Sequence, residues 1–116
     1  MQSIPRINVL IVTRFYFSGQ TTHVFSLAER LAAQRHHVAM AITNPGEVEE
    51  VRYEIEAFIP PKVSWIMSED LGELIEFARD HNTQVVHVHS SRAFALAAQI
   101  SLNLECGLVI TCHGLG

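Results

Sequence analysis

INVLIVT, residues 7–13, decides the fold class of this chain of 116 residues. Apolar residues run almost continuously through it and do not alternate with polar ones, which is typical of a strand covered on both faces. Strands of that kind belong to parallel sheets. The apolar residues that follow recur at helical spacing, at Val24, Leu27, Ala28 and Leu31. A second strand is predicted at residues 38–43 (VAMAIT), so the chain begins with a βαβ unit.

Strands and helices go on alternating along the rest of the chain. Three further strands are predicted at residues 63–66, 85–89 (VVHVH) and 108–111. The helix after strand three begins where Asp70 and Glu73 stand at capping-box positions, and Ser90 or Ser91 can cap the helix after strand four. Residues 48–58 are interpreted as a short helix or an ordered loop, because acidic residues surround their apolar positions and two prolines follow them.

This order of elements predicts the topology of the sheet. Strands separated by helices indicate right-handed crossovers and a doubly wound parallel α/β sheet, Rossmann-like, of about five strands in the order 3-2-1-4-5. The winding then reverses between strands one and four, and ligands bind beyond the carboxyl ends of the strands at that switch point. Three loops are expected to meet there: residues 13–20, 89–92 and 112–116.

Composition argues against several kinds of partner. Hydrophobic residues make up 48% of the chain and charged residues 17%, as expected for one soluble domain spanning residues 1–116. Eight basic and twelve acidic side chains give a net charge of −4, and no block of Lys or Arg could follow a phosphate backbone, so nucleic acid is not expected. The acidic segment 47–56 gives no support to membrane association. Without a signal peptide or a long apolar span, the chain is expected in the cytoplasm.

The first of the three loops has two readings. Gly19 before a helix lets the backbone approach a ligand closely, and the free N–H groups of a first helical turn favour an anion such as a diphosphate. Alternatively, the Ser18-Gly19-Gln20 turn only connects a strand to a helix that Ser18 or Thr21 caps. The loop has neither G-x-G-x-x-G nor a Walker lysine, so a dinucleotide fingerprint and a P-loop are both disfavoured.

Histidines gather at the ends of the fourth and fifth strands. His87 and His89 are two residues apart and therefore point to the same face of a strand, and Cys112 and His113 lie at the end of the neighbouring strand. No carboxylate accompanies them at metal-ligand spacing, so no metal site is predicted. The histidines are interpreted as satisfied within the fold or as facing a ligand.

Four segments together resemble the N-terminal domain of family 4 glycosyltransferases, which are built of two Rossmann-like domains in the GT-B architecture. SGQTTHV at residues 18–24 is similar to the family's G-G-x-x-x-H-V, RHHV at 35–38 to G-H-x-V, and TCHG at 111–114 to T-x-H-G. VVHVHS at 85–90 is similar to D-V-V-H-x-H-S, with Gln84 in place of the Asp. They occur in the family's order over nearly the whole chain. Ser18 stands in place of the first Gly of the pair, and Arg35 in place of a Gly that ends a helix.

The resemblance implies a retaining glycosyltransferase of the hexosyltransferase type. Such an enzyme moves a sugar from a nucleotide diphosphosugar to a hydroxyl of a sugar or lipid-linked acceptor, and it needs neither a cofactor nor a metal. His113 is then the catalytic residue beside the transferred sugar. The expected substrate-binding residues are Ser18, Gly19, Gln20, His89, Ser90 and Gly114.

The resemblance also implies a partner domain. The family's C-terminal domain binds most of the nucleotide sugar, and its carboxylates lie beyond residue 116, so residues 1–116 alone are expected to be inactive. The alternative is a non-catalytic Rossmann-like module that binds a small anionic ligand or a protein partner. The two readings differ in whether the coding sequence continues into further βα units.

Overall fold

The computed structural model describes residues 5–15 and 19–111, with residues 19–22 described by their backbone alone. Its strands are β1 (Asn8–Thr13), β2 (His37–Ile42), β3 (Ser64–Met67), β4 (Val85–Val88) and β5 (Gly107–Ile110). All neighbouring strands are parallel, and their order is β3-β2-β1-β4-β5. The predicted Rossmann-like α/β topology is therefore confirmed, with strand bounds that differ from the sequence prediction by one residue.

Helices cover both faces of this sheet. In the described part of the chain they are α1 (Gly19–Ala33), α2 (Pro45–Val48), α3 (Arg52–Phe58), α4 (Leu71–Asp80) and α5 (Phe94–Leu104), with 3-10 turns at Glu49–Val51 and Ser91–Ala93. The segment interpreted as a short helix or ordered loop is thus α2, one 3-10 turn and α3. None of these helices is long and apolar enough to cross a membrane.

The two faces of β1 explain why its sequence is continuously apolar. Ile11 packs into a core with residues of α1, α2 and α3, whereas Leu10 and Val12 pack into a second core with residues of α4 and α5. All three side chains are fully buried. A strand with a core on each side has no polar face, so the alternating pattern of a half-exposed strand is absent.

α4 is capped by Asp70 as predicted, and Ser68 also takes part in the cap. The carboxylate of Asp70 accepts a hydrogen bond from the backbone N–H of Glu73 at 2.9 Å. The hydroxyl of Ser68 donates to the Glu73 carboxylate at 2.9 Å and accepts from the backbone N–H of Asp70 at 3.0 Å. Ser68 therefore completes the reciprocal half of the capping box through its hydroxyl.

The prediction that Ser90 or Ser91 caps the following helix is wrong. Neither side chain makes a capping hydrogen bond, and α5 begins after Ala93. The 3-10 turn at Ser91–Ala93 closes instead through its backbone, since the N–H of Ala93 donates to the carbonyl of Ser90 at 3.0 Å. A backbone turn that satisfies the free amides leaves no need for a side-chain cap.

Three helices end in the same backbone motif. Arg35, Asn82 and Glu105 follow α1, α4 and α5 with φ angles of 69°, 51° and 54°. After α1, the N–H of His36 donates to the carbonyl of Leu31 at 3.1 Å, and equivalent bonds close the other two helices. This is the Schellman arrangement, in which Gly is usual at the left-handed residue. Arg35 therefore occupies the family's helix-ending Gly position in a conformation that suits Gly better.

Candidate functional site

Buried polar side chains gather at the carboxyl edge of the sheet. Among the described residues, seven polar residues are buried, and five of them end a strand or follow one: Thr13, Thr43, Asn44, Ser68 and His89. The switch point between β1 and β4 lies in the middle of this edge. Because a buried polar group is unfavourable unless it is hydrogen-bonded, each of these side chains needs a defined partner.

Asn44 extends the pairing of β1 and β2 beyond the last strand residues. It occupies the N-cap position of α2 without capping it. Its side-chain oxygen accepts from the backbone N–H of Phe15 at 2.9 Å, and its side-chain nitrogen donates to the carbonyl of Phe15 at 3.0 Å. One amide side chain thus satisfies both backbone groups of a buried residue and fixes the first residues of the loop after β1.

An ion pair stands beside this amide. Nη2 of Arg14 lies 2.7 Å from Oε1 of Glu47, and the Arg14 side chain is only 16% exposed. A hydrogen bond from Asn44 and the positive charges of Arg14 and Arg92 hold the pKa of Glu47 below its ordinary value. The two arginines follow β1 and β4, so two cations and one carboxylate flank the switch point. Such an excess of positive charge favours an anionic ligand.

His89 lies directly beyond β4 and is 4% exposed. Its backbone N–H donates to the carbonyl of Val12 at 3.1 Å, which ties the end of β4 to β1. Its ring contacts that of His87, with 4.1 Å between the ring centroids. Ser90 is half-buried in extended backbone next to it. The predicted pair His89 and Ser90 is therefore at the switch point.

His87 also connects β4 to the end of β5. Nε2 of His87 lies 2.6 Å from Oγ1 of Thr111, close enough for a strong hydrogen bond. Burial lowers the pKa of His87, which favours the neutral form of its ring. The backbone N–H of Thr111 also donates to the carbonyl of Val88 at 3.0 Å. The end of β5 is thus joined to β4 through both main chain and side chain.

The other predicted site residues are only partly described. Gly19 and Gln20 are the first two residues of α1, which starts four residues after the buried Phe15. Ser18, His113 and Gly114 lie outside the described residues, as does Cys112. Within the described ranges, no three His, Cys, Asp or Glu side chains come together as a metal site. The structure thus brings together the ends of β1 and β4, the start of α1 and the strand that leads to His113.

Sequence reasoning missed Arg14, Asn44 and the partner of His87. The Asn-Pro dipeptide after the second strand is a local signal for a turn, but it does not show that the amide reaches a residue 29 positions earlier. Nor does the histidine pattern reveal Thr111, because its contact depends on how β4 and β5 pair. These residues are found only once the strands are in register.

Residues 17–116 match the family model of Glycosyltransferase Family 4, which covers most of the chain. A search of curated proteins finds no match for the chain. All four segments that carry the resemblance lie within the matched residues.

Proposed function

The chain belongs to glycosyltransferase family 4 as an N-terminal domain of that family, and on this premise we propose that it is the acceptor side of a retaining glycosyltransferase. The enzyme moves a hexose from a nucleotide diphosphosugar to a hydroxyl of a sugar or lipid-linked acceptor. A C-terminal domain of the same protein binds most of the nucleotide and closes the cleft. The observation that carries this proposal is the edge of buried polar side chains at the switch point, beyond the ends of β1 and β4.

The donor diphosphate is proposed to lie near the start of α1. The first N–H groups of a helix have no intrahelical acceptor, and they favour a negative charge. Gly19 and Gln20 supply this first turn, with Ser18 before it. Arg14 and Arg92 add positive charge on the adjacent loops. Backbone amides and guanidinium groups then neutralise the leaving diphosphate, and the mechanism needs neither a metal nor another cofactor.

The transferred sugar is proposed to lie between the loops after β4 and β5. Its transition state carries positive charge at the anomeric carbon, as in other reactions with oxocarbenium character. His113 is the proposed catalytic residue that stabilises this centre, and Gly114 leaves room for the sugar beside it. His89 and Ser90 line the opposite side, where the buried His89 ring is held by its neighbours.

The test is turnover by the protein expressed together with its C-terminal domain. Screening nucleotide sugars identifies the donor, and the His113→Ala variant is then compared with His81→Ala, whose ring lies at the opposite edge of the sheet. We expect the first variant to lower kcat by about a hundredfold or more, as when a transition-state contact is removed. The second variant is expected to stay within about twofold of the wild type, because it touches nothing near the switch point.

Two results would contradict the proposal in different ways. Equal rates for His113→Ala and the wild type, with both folded by circular dichroism, would remove His113 from the site. Binding of an anion or of a protein without any sugar transfer would favour the alternative, a non-catalytic Rossmann-like module.

A further inference from the structure

We infer that His87 and Thr111 are positioning residues, which together fix the point at which the chain leaves β5 toward His113. The inference rests on the proposed catalytic role of His113, which follows Thr111 by two residues in the sequence. Both residues belong to segments that match the family, but the proposed function gives neither of them a role. Their side chains meet at 2.6 Å although they are 24 positions apart.

Thr111 is held at two points by one strand. Its backbone N–H donates to Val88, which continues the pairing of β4 and β5 one step beyond the register pair Val88 and Ile110. Its hydroxyl meets His87 on the same side of the sheet. Backbone pairing alone lets the chain pivot about the last hydrogen bond, whereas a second bond from a β-branched side chain with restricted χ1 fixes the direction in which the chain leaves.

The ring of His87 is itself fixed. It is half-buried and lies against the ring of His89, which is almost fully buried. His89 is in turn bonded through its backbone to Val12 of β1. The contacts therefore form a continuous path from the centre of the sheet to the end of β5, and Thr111 is attached to a rigid support.

β5 is an edge strand of the described sheet, as β3 is. Within the described residues it pairs only with β4, and Val109 and Ile110 are 48% and 51% exposed. Little apolar burial holds its carboxyl end in place, in contrast to β1 and β2. The hydrogen bond between His87 and Thr111 therefore holds the end of β5 where apolar packing is weak.

The position of Thr111 acts directly on the residues that follow. Two residues of chain span at most about 7 Å, so a catalytic group two positions beyond an anchor moves when the anchor moves. A misplacement of about 1 Å is enough to lower a rate by about a hundredfold in well-aligned sites. Loss of this hydrogen bond is therefore expected to lower kcat more than it raises KM, because the donor is bound mainly by other groups.

The experiment compares three threonine variants of the enzyme expressed with its C-terminal domain. Thr111→Val removes the hydroxyl and keeps the shape, Thr111→Ser restores the hydroxyl, and Thr83→Val is the matched control. Thr111 is half-buried, whereas Thr83 is buried at the other end of β4, and the hydroxyl of Thr83 has no hydrogen-bond partner in the described structure. We expect Thr111→Val to lower kcat about tenfold, because one hydrogen bond is lost. The KM for the donor is expected to stay within about twofold of the wild-type value. Thr111→Ser and Thr83→Val are expected to retain nearly the full rate.

A second variant keeps the test decisive if Thr111→Val does not fold. His87→Leu removes the other partner and is expected to give a similar fall in kcat, and the double variant is expected to be no slower than either single one, because both remove the same bond. Equal kcat for Thr111→Val and Thr111→Ser would overturn the inference, as would fully additive losses in the double variant. A strong effect of His113→Ala alongside either result would leave the proposed function standing, so the two failures are distinguishable.

Discussion

At the carboxyl edge of the sheet, Asn44, Ser68 and His89 are buried, whereas at the amino edge His37, Asn82 and Gln84 are exposed. The first edge joins loops from different strands through side-chain hydrogen bonds, as between Asn44 and Phe15. The second edge also has side-chain hydrogen bonds between distant segments, such as those from Asn8 to Gln84 and Asn82, but these bonds lie among exposed residues. Burial of the side chains is therefore what distinguishes the two edges.

This difference supports the proposal that a ligand binds at the carboxyl edge. Buried polar groups that bond across strands hold loops in defined positions, and removing one partner leaves the other unsatisfied. At the amino edge, left-handed residues such as Arg35 and Glu105 store a small amount of strain without placing any group at a cleft. Stability at the carboxyl edge therefore depends on buried partners, whereas at the amino edge the hydrogen bonds are exposed and left-handed backbone adds strain.

Of the variants that test this comparison, Asn44→Ala is expected to change the free energy of unfolding most. The substitution leaves the buried N–H and C=O of Phe15 without their partner and is expected to lower the free energy of unfolding by about 2–4 kcal/mol. The matched control is Asn103→Ala, which removes only an exposed bond to the carbonyl of Gln99 and is expected to change stability by less than about 0.5 kcal/mol. Urea denaturation of the 116-residue chain measures both. Similar losses for the two variants would contradict the role assigned to the carboxyl edge.

A smaller effect of opposite sign is expected at the amino edge. Arg35→Gly and Glu105→Gly each relieve a left-handed conformation and are expected to raise the free energy of unfolding by about 0.5–1 kcal/mol, after the greater freedom of Gly in the unfolded chain is subtracted. Asn82→Gly is the control, because Asn tolerates this conformation and should gain least. Thermal melts rank the three variants. If Asn82→Gly stabilised the chain as much as the other two, strain would not be the cause.

The smallest effect concerns pH. Nε2 of His37 and Nδ1 of His81 share a hydrogen bond at 2.9 Å, so at least one of these atoms carries no proton. Burial, followed by the nearby His37, lowers the pKa of His81, while Asp80 acts in the opposite direction. The unfolded chain, with an ordinary histidine pKa of about 6.5, then binds more protons than the folded one. The contribution of His81 to the free energy of unfolding is therefore highest above a pH of about 6.5, where His81 is neutral in both states, and it falls as the pH drops below that value.

His87 contributes in the same direction from the carboxyl edge, because burial lowers its pKa as well. Thermal melts between pH 7.5 and 5.5 are therefore expected to show a falling Tm, and His81→Gln is expected to flatten part of that slope. Because these rings are partly exposed, the change is expected to be smaller than either effect above. A Tm that stayed level or rose on acidification would contradict the pKa directions at both edges.

Local features of the sequence were predicted well where their partners are also local. Asp70 was recognised as a cap because its acceptor role involves the amide three residues later. Ser90 and Ser91 fit the same pattern, but they do not cap a helix, because the backbone N–H of Ala93 bonds to the carbonyl of Ser90 in a 3-10 turn. The positions of His89 and Ser90 at the switch point followed from the predicted strand order. Asn44 and Thr111 were not recognised, since each is defined by a partner more than twenty residues away.

The sequence by itself determined the parallel sheet, its strand order and the edge at which the candidate site is proposed. It does so because continuous apolar runs specify strands buried on both faces, and the handedness of βαβ crossovers leaves few ways to arrange them. Only the tertiary structure decided which side chains meet at that edge. The contacts of Asn44 with Phe15 and of His87 with Thr111 depend on the register between neighbouring strands, which hydrophobic periodicity within one strand does not encode.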